Sequence, residues 1–188
     1  MNDDFKSVIP VFLSLFIVLV LAAIALATAA SAQEGDKLAR GKYLVTVAGC
    51  NDCHTPWKMG ANGPEPDMTR MLSGHPEKMA LPPAPKPQGP WIVAAAATNT
   101  AWSGPWGVSY TANLTPDKET GLGKWTLRNF METIRTGRHM GRGREILPPM
   151  PIPMYKHFND QDLEAIYAYL QSIPPIRNKV PEPLPPAN

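Results

Sequence analysis

The chain has only two cysteines, and both lie in the pentapeptide CNDCH at positions 50–54. Two thiols three residues apart can bond to the vinyl groups of neighbouring pyrrole rings in one porphyrin. The histidine that follows is then held beneath the central iron, so Cys-x-x-Cys-His is the attachment signature of haem c. We therefore predict one covalent haem c, bound through Cys50 and Cys53, with His54 as an iron ligand.

Other interpretations of these cysteines fit the sequence less well. A structural zinc site needs more ligands, and the chain has no second cysteine pair. A thioredoxin-like dithiol expects a preceding strand and gives no role to His54. A scaffold held by several disulfides is excluded, because the two cysteines lie three residues apart.

Proline is the outlier of the composition, with 22 residues concentrated in the ranges 56–90, 148–153 and 174–186. Proline fixes φ and lacks a backbone donor, so these stretches cannot form helix interiors or central strands. A chain with so much irregular backbone needs another source of core, and a buried macrocycle can supply it. The net charge of +2 gives no argument for nucleic-acid binding.

The N-terminal segment from Val8 to Ala30 carries no charge and is followed by the small-x-small sequence Ala30-Ser31-Ala32. Residues 1–32 therefore form either a cleaved signal peptide or a retained membrane anchor. Both alternatives place the remaining chain on the periplasmic side of the cytoplasmic membrane. It is soluble there if cleavage follows Ala32 and anchored if cleavage does not occur.

Three helices are predicted in the segment 33–176, which we take as the haem-binding domain. The first covers 36–48 with Asp36 as its N-cap, and Gly41 in it allows another backbone to approach closely. The others cover 126–136 and 159–173, each with a capping residue, an apolar stripe at helical spacing and a Gly or Pro stop.

Two segments lack such periodicity. Residues 55–110 are rich in Pro and Gly, and so long a loop is usually functional or an insertion that packs over another part of the fold. Within it, residues 91–100 are expected to form either a short strand or no regular structure. The tail, residues 177–188, is expected to be extended and to become ordered only on a partner.

The sixth iron ligand is expected to be methionine. Met150 lies in the proline-stiffened sequence LPPMPIPMY just before the last helix, which lowers the entropy cost of holding a weak thioether ligand. Met154 is its main rival, and Met140 in a Gly-rich segment comes third. His75, His139 and His157 have no ligand spacing and are expected to be surface residues.

Residues 35 to about 180 resemble the class I c-type cytochromes, in particular the exported cytochrome subunits that serve bacterial membrane-associated dehydrogenases. The resemblance lies in RGKYLVTVAGCNDCHTP, GPWGVSYTANLTPDKETGLGKWT, and ILPPMPIPMY followed by DQDLEAIYAYLQSIPP. It implies an all-α fold wrapped around haem c, with crossing first and last helices and His/Met ligation. In that pattern the methionine directly followed by proline is the ligand, which corresponds to Met150.

Two further groups of side chains are candidates for contact with the haem. Four tryptophans lie in the middle third, and we select Trp125 as a hydrogen-bond donor to a haem propionate; packing is the alternative for each one. Four arginines lie close together at Arg135, Arg138, Arg142 and Arg144. They are expected either to neutralise propionates or dock an acidic partner, or to form a solvated charged face.

These features predict an electron-transfer protein rather than an enzyme, since the chain shows no Ser/His/Asp set and no nucleotide-binding loop. The resemblance implies a dehydrogenase or quinol-oxidising partner upstream and an oxidase or another cytochrome downstream. The alternative is a haem enzyme with an open or weakly ligated iron that acts on peroxide or a sulfur compound.

Overall fold

A computed structural model describes residues 4–87 and 89–186 of the chain. The first three residues of the predicted leader, one residue of the insertion and the last two residues of the tail lie outside the described residues. Two compact units meet in the sequence between Lys37 and Leu38, and each is described by itself.

Helix α1 runs from Asp4 to Val47. The predicted N-cap at Asp36 is wrong, because the helix passes through that residue. The sequence SAQEGDK at 31–37 contains a single poor helix former, Gly35, which is too little to end a helix. By length and composition, the segment Phe16–Val47 is able to cross a membrane, and a signal sequence would pass the same test.

The unit from Leu38 onward contains further helices and two small antiparallel sheets. The helices are α2 (Cys50–His54), α3 (Leu127–Thr136), α4 (Ile152–Tyr155) and α5 (Asp160–Ser172). The strands are β1 (Trp57–Gly60), β2 (Gly63–Pro66), β3 (Ala94–Ala95), β4 (Ala101–Gly104) and β5 (Gly107–Tyr110), paired as β1-β2 and as β3-β4-β5.

All these strands lie in the 55–110 insertion, so the all-α prediction is wrong there. The register pairs Gly60 with Gly63 and Gly104 with Gly107, so each hairpin turns in two residues. Glycine at these hairpin turns is a known strand signal. The strands were not predicted from these glycines, because the surrounding prolines argue against regular structure.

The helical predictions for α3 and α5 are confirmed. Thr126 accepts a hydrogen bond from the Asn129 amide at the start of α3, and Gly137 ends the helix in a left-handed conformation. Asn159 caps α5 by accepting from the Asp162 amide. These helices and the end of α1 share one core, which includes Leu44, Val45, Phe130, Ile134, Leu163, Ile166 and Leu170.

The first and last helices cross, as the resemblance implied. A Cβ on Gly41 would lie 2.0 Å from the Ala165 carbonyl oxygen, so the backbones of α1 and α5 touch at this glycine. Arg40 and Asp162 form an ion pair of 2.9 Å next to the contact.

Residues 177–186 of the C-terminal tail are bound by the chain itself, so the expectation that only a partner would order this part of the tail is wrong. The Asn178 side chain is 2% exposed and donates to the carbonyl oxygens of Ser73, at 2.7 Å, and His75, at 2.8 Å. Further along, Leu184 and Val108 exchange backbone hydrogen bonds of 2.9 Å. Hydrogen bonds therefore hold the tail against the insertion.

We expect Asn178→Ala to lower the free energy of unfolding by about 2–4 kcal/mol, because it leaves two buried carbonyl groups without their donor. Urea denaturation of the haem-loaded protein measures this change. The matched control is Lys179→Ala, whose exposed side chain predicts a change within about 0.5 kcal/mol. If both variants lost the same free energy of unfolding, the Asn178 hydrogen bonds would not be what holds the tail in place.

Candidate functional site

The attachment motif forms a single helical turn. Gly49, with φ of 70°, starts α2 in a left-handed conformation and so sets it off from α1. Cys50 packs against the hydrophobic core, and both cysteines are free thiols. Burial raises the pKa of Cys50 to about 11 and also raises the pKa of Cys53. A redox dithiol needs a lowered thiol pKa, so this environment argues against that alternative.

His54 is held in the state that an iron ligand requires. Its side chain is buried, and Nδ1 lies 2.8 Å from the Ala112 carbonyl oxygen. Since a carbonyl only accepts, Nδ1 must donate. In the neutral ring Nε2 then carries no proton and is able to bind a metal. Burial also lowers the pKa of the ring, which favours the neutral form.

The insertion positions both His54 and its partner Ala112. The His54 carbonyl accepts from the Gly74 amide at 2.8 Å, and Thr55 Oγ1 accepts from the Leu72 amide at 2.9 Å. Gly74, with φ of +76°, lies so close to the next segment that a Cβ would be 2.5 Å from the Thr111 carbonyl oxygen. A side chain at residue 74 would therefore displace the backbone segment that carries Ala112.

A second part of the insertion holds the motif through Asp52. The carbonyl oxygen of Asp52 accepts from the Trp57 indole at 3.1 Å and from the Asn99 side-chain amide at 2.7 Å. Trp57 and Asn99, both in the 55–110 insertion, therefore contact the CNDCH turn, and the role of the insertion as a whole stays a prediction.

The candidate methionines differ in burial. Met150 is half-buried and packs against the core, whereas 71% of the Met154 side chain is exposed. Met150 also lines a cleft of about 250 Å³ together with residues that include Gly137, Ile146 and Ile152. These facts favour Met150 over Met154, and its role as iron ligand remains a prediction.

Tyr155 ties the Met150 loop to the attachment motif. It ends α4, five residues after Met150, and its hydroxyl donates to the Ala48 carbonyl oxygen, two residues before Cys50. Burial raises the pKa of Tyr155 to about 12, so the hydroxyl keeps its proton. This bond links the two chain segments that carry the predicted haem contacts.

Replacing Tyr155 with Phe keeps the ring and removes this hydrogen bond. We expect the free energy of unfolding to fall by about 1–2 kcal/mol, since the Ala48 carbonyl loses its donor. Thermal denaturation followed by circular dichroism measures the loss. Tyr43→Phe is the control, because Tyr43 is 56% exposed. If Tyr43→Phe lowered the free energy of unfolding by a comparable amount, the loss in Tyr155→Phe could not be assigned to the bond with Ala48.

Trp125 is half-buried, and its ring meets the His139 ring edge-on at a centroid distance of 5.0 Å. Tyr167 donates to the Trp125 carbonyl at 2.6 Å. Within residues 4–87 and 89–186, no hydrogen bond involves the Trp125 indole N–H, unlike that of Trp57. The indole is thus available as a donor to a propionate, and this role stays a prediction.

The three histidines other than His54 differ in their exposure to solvent. His139 and His157 are exposed as expected, but the prediction for His75 is wrong. His75 is completely buried, with Nδ1 2.9 Å from the Thr100 hydroxyl. Nothing in the spacing of a single histidine reveals such an environment, because the polar core that encloses it comes from distant segments.

The arginine group is largely engaged within the chain. Arg135 binds Asp160 at 2.6 Å and the Lys156 carbonyl, and Arg138 donates to the Gly143 carbonyl at 2.8 Å. Arg144 lies 3.6 Å from Glu182. These bonds favour the solvated charged face over a propionate-binding cluster.

The arrangement fits haem c by its donor set. One turn offers two half-buried thiols and an imidazole whose Nδ1 is already bound, and Met150 and Trp125 pack around the same core. A zinc site does not fit, because no group of three or more His, Cys, Asp or Glu side chains among the described residues is arranged so that it could hold a metal ion. Sequence reasoning missed Ala112 and Tyr155, since a carbonyl partner carries no residue-type signal.

Comparison with known proteins agrees with this site. The chain is 28% identical over 159 residues to the cytochrome c subunit of the quinone alcohol dehydrogenase of Gluconobacter oxydans, covering 82% of this chain and 26% of that protein. It is 30% identical over 152 residues to the gluconate 2-dehydrogenase cytochrome c subunit of Pantoea cypripedii, covering 80% and 26%. The fructose dehydrogenase cytochrome subunit of Gluconobacter japonicus is 29% identical over 145 residues, covering 77% and 23%.

The chain thus spans about a quarter of the length of these relatives. The family model for cytochrome c matches residues 38–174, which include the CNDCH turn, Trp125 and Met150. Covalent attachment of haem c is implied by that match and fits the half-buried Cys-x-x-Cys-His turn. The chain belongs to the cytochrome c family.

Proposed function

We propose that this chain is a monohaem c-type cytochrome that transfers single electrons outside the cytoplasm, as an electron-transfer subunit and not as a catalytic one. The observation that carries the proposal is the state of His54. Its ring is buried, burial lowers its pKa, and Nδ1 donates to the Ala112 carbonyl, so Nε2 is available to iron. One attachment motif in the sequence supports one haem.

The residues around the site act by holding a fixed environment. Bound haem c would supply a one-electron ferric/ferrous couple. Cys50 and Cys53 would keep the group in place covalently, while the Ala112 carbonyl orients His54 and increases its basicity. A Met150 thioether as sixth ligand would favour the ferrous state and close the iron to substrates. The Tyr155 bond to Ala48 limits movement of the Met150 loop.

We further propose that the upstream partner is a dehydrogenase or a quinol-oxidising protein, and that an oxidase or another cytochrome accepts the electron. The support is that three relatives are named as cytochrome subunits of dehydrogenases. The apolar helix segment Phe16–Val47 supports export to the periplasmic side, either as a cleaved signal or as an anchor. Encounters with such partners are expected to be brief and to bury little surface.

Purified protein tests the proposal through its haem. We expect one haem per chain that resists extraction by acidified acetone, a low-spin ferric spectrum with the long-wavelength methionine–iron band, and no response to modest cyanide. A Cys50→Ser, Cys53→Ser double variant is the control, and its haem should be extractable. A colourless wild-type protein, or haem that washes out, would end the proposal.

The alternative of a haem enzyme would need an acid–base group beside the iron, and His75 does not provide one. His75 is completely buried in the insertion and lies 2.9 Å from the Thr100 hydroxyl, so it is not placed to serve a substrate. A high-spin ferric spectrum that shifts with cyanide would nevertheless favour the enzyme over the electron carrier.

A further inference from the structure

Strand β5 has hydrogen-bonded backbone on both of its edges. It pairs with β4 along one edge, and on the other edge Val108 and Leu184 of the tail exchange two hydrogen bonds of 2.9 Å. Gly107 lies so close to the tail that a Cβ there would be 2.1 Å from the Leu184 carbonyl oxygen. A strand held on both edges has little freedom to shift, so its buried side chains keep fixed positions.

The Ser109 side chain of β5 contacts the Met150 loop. Ser109 is 6% exposed, and its hydroxyl donates a hydrogen bond of 2.6 Å to the carbonyl oxygen of Pro148, two residues before Met150. The Trp106 indole donates to the same hydroxyl at 3.3 Å. The Pro148 carbonyl only accepts, so the hydroxyl proton lies in the bond to Pro148, and the indole fills one acceptor position of the hydroxyl oxygen.

The same stretch of chain also reaches the other predicted axial ligand. Ala112, three residues after Ser109, accepts the hydrogen bond of 2.8 Å from His54 Nδ1. Three residues of chain span at most about 10 Å, so both contacts lie on one short segment. Between them, the Thr111 amide donates at 2.9 Å to the carbonyl of the residue just before β4. One fixed segment therefore contacts the chain around both predicted iron ligands.

We propose that Ser109 is a positioning residue for the sixth iron ligand, because its hydrogen bond to Pro148 holds the Met150 loop closed and so keeps other molecules from that coordination position. The inference rests on the proposed function, in which Met150 is the ligand. The Ser109 bond holds the loop before Met150, and the bond from Tyr155 to Ala48 holds it after Met150. The methionine is thus fixed on both sides in sequence, and release of either side raises the population of open loop.

A second serine of the same sheet makes the same kind of bond to a different part of the chain. Ser103 in β4 donates to the Pro85 carbonyl at 2.8 Å, and it pairs with Val108, the residue before Ser109. Ser103→Ala is therefore a matched control for Ser109→Ala. Both variants remove one hydrogen bond from a serine hydroxyl to a proline carbonyl, but only Ser109→Ala removes one from the Met150 loop.

Imidazole binding to the ferric, haem-loaded chain tests the proposal. Imidazole reaches the sixth position only when the loop is open, so its apparent affinity is proportional to the open fraction. Loss of one hydrogen bond changes such an equilibrium about fivefold, so Ser109→Ala should lower the apparent dissociation constant about fivefold. Ser103→Ala should leave the constant at the wild-type value. Loss of the methionine–iron band with increasing imidazole measures the constant in each protein.

A further variant acts on the same bond without changing Ser109. Trp106→Phe keeps an aromatic ring and removes the indole donor that fixes the Ser109 hydroxyl. It should lower the imidazole dissociation constant in the same direction as Ser109→Ala, by a smaller factor. If Ser109→Ala does not fold with haem, an unchanged constant in Trp106→Phe would overturn the inference.

The wild-type spectrum separates this inference from the proposed function. If the wild-type protein shows the methionine–iron band and Ser109→Ala binds imidazole no more tightly than Ser103→Ala, the role of Ser109 is wrong while the electron carrier stands. A wild-type protein with haem but without that band would overturn both, because Met150 would not be the ligand that Ser109 holds.

Discussion

Replacing Met150 with Ala is expected to abolish the long-wavelength sulfur–iron absorption band and to lower the reduction potential. Axial ligands set haem potentials over about 0.8 V, and exchange of a thioether for water or hydroxide should shift the midpoint by a few tenths of a volt within that range. The thioether stabilises the ferrous state, so its loss favours the ferric state. Visible spectroscopy and a potentiometric titration measure both effects.

The matched control for this experiment is Met154→Ala. Met154 lies four residues further along the same proline-rich segment, but its side chain is 71% exposed, so its removal should leave band and potential unchanged. Met140→Ala is a second control in a segment of different backbone geometry. If Met154→Ala removes the band while Met150→Ala preserves it, the ligand assignment is wrong.

Local signals were sufficient for the helices that build the core. Thr126 and Gly137 delimit α3, and Asn159 and the proline after Ile173 delimit α5. Caps and stops act through hydrogen bonds and backbone conformations within a few residues, so a single sequence contains them. The CNDCH turn was equally accessible, because its chemistry depends only on the spacing of three side chains.

Contacts between distant segments were not accessible in this way. His75 is buried against Thr100 and the backbone carbonyl of Thr111. Thr100 lies 25 residues away in sequence, and Thr111 lies further still. Asn178 becomes a central residue of the fold only when the tail reaches the carbonyl groups of Ser73 and His75. Neither residue type nor hydrophobic periodicity predicts a contact between segments so far apart in sequence.

Gly41 illustrates the intermediate case, in which the sequence indicates a role and the structure supplies its partner. Glycine within a helix costs up to about 1 kcal/mol relative to alanine, so its presence suggested a close backbone approach. The approach is to α5, where a Cβ at residue 41 would lie 2.0 Å from the Ala165 carbonyl oxygen and 2.7 Å from the Tyr169 Cβ. One of these atoms is backbone, so the clash cannot be relieved by a side-chain rotation.

We expect Gly41→Ala to lower the free energy of unfolding by about 2–3 kcal/mol or more, despite the better helix propensity of alanine, because the two helices must separate. Helix α1 ends just before the CNDCH turn and α5 follows the Met150 loop, so separation should also weaken the methionine–iron band. Guanidinium denaturation and the visible spectrum measure the two effects on the same samples.

Gly35→Ala is the control within the same helix. No atom lies within 4 Å of the position of a Cβ at residue 35, so this variant should keep its spectrum and gain up to about 1 kcal/mol from helix propensity. Both substitutions add one methyl group to a glycine in helix α1. Comparing the two variants therefore separates the effect of helix–helix packing from the effect of helix propensity. A Gly41→Ala protein as stable as Gly35→Ala would mean that α1 and α5 do not touch at Gly41. The packing of the segment before the CNDCH turn against α5 would then have to be reconsidered.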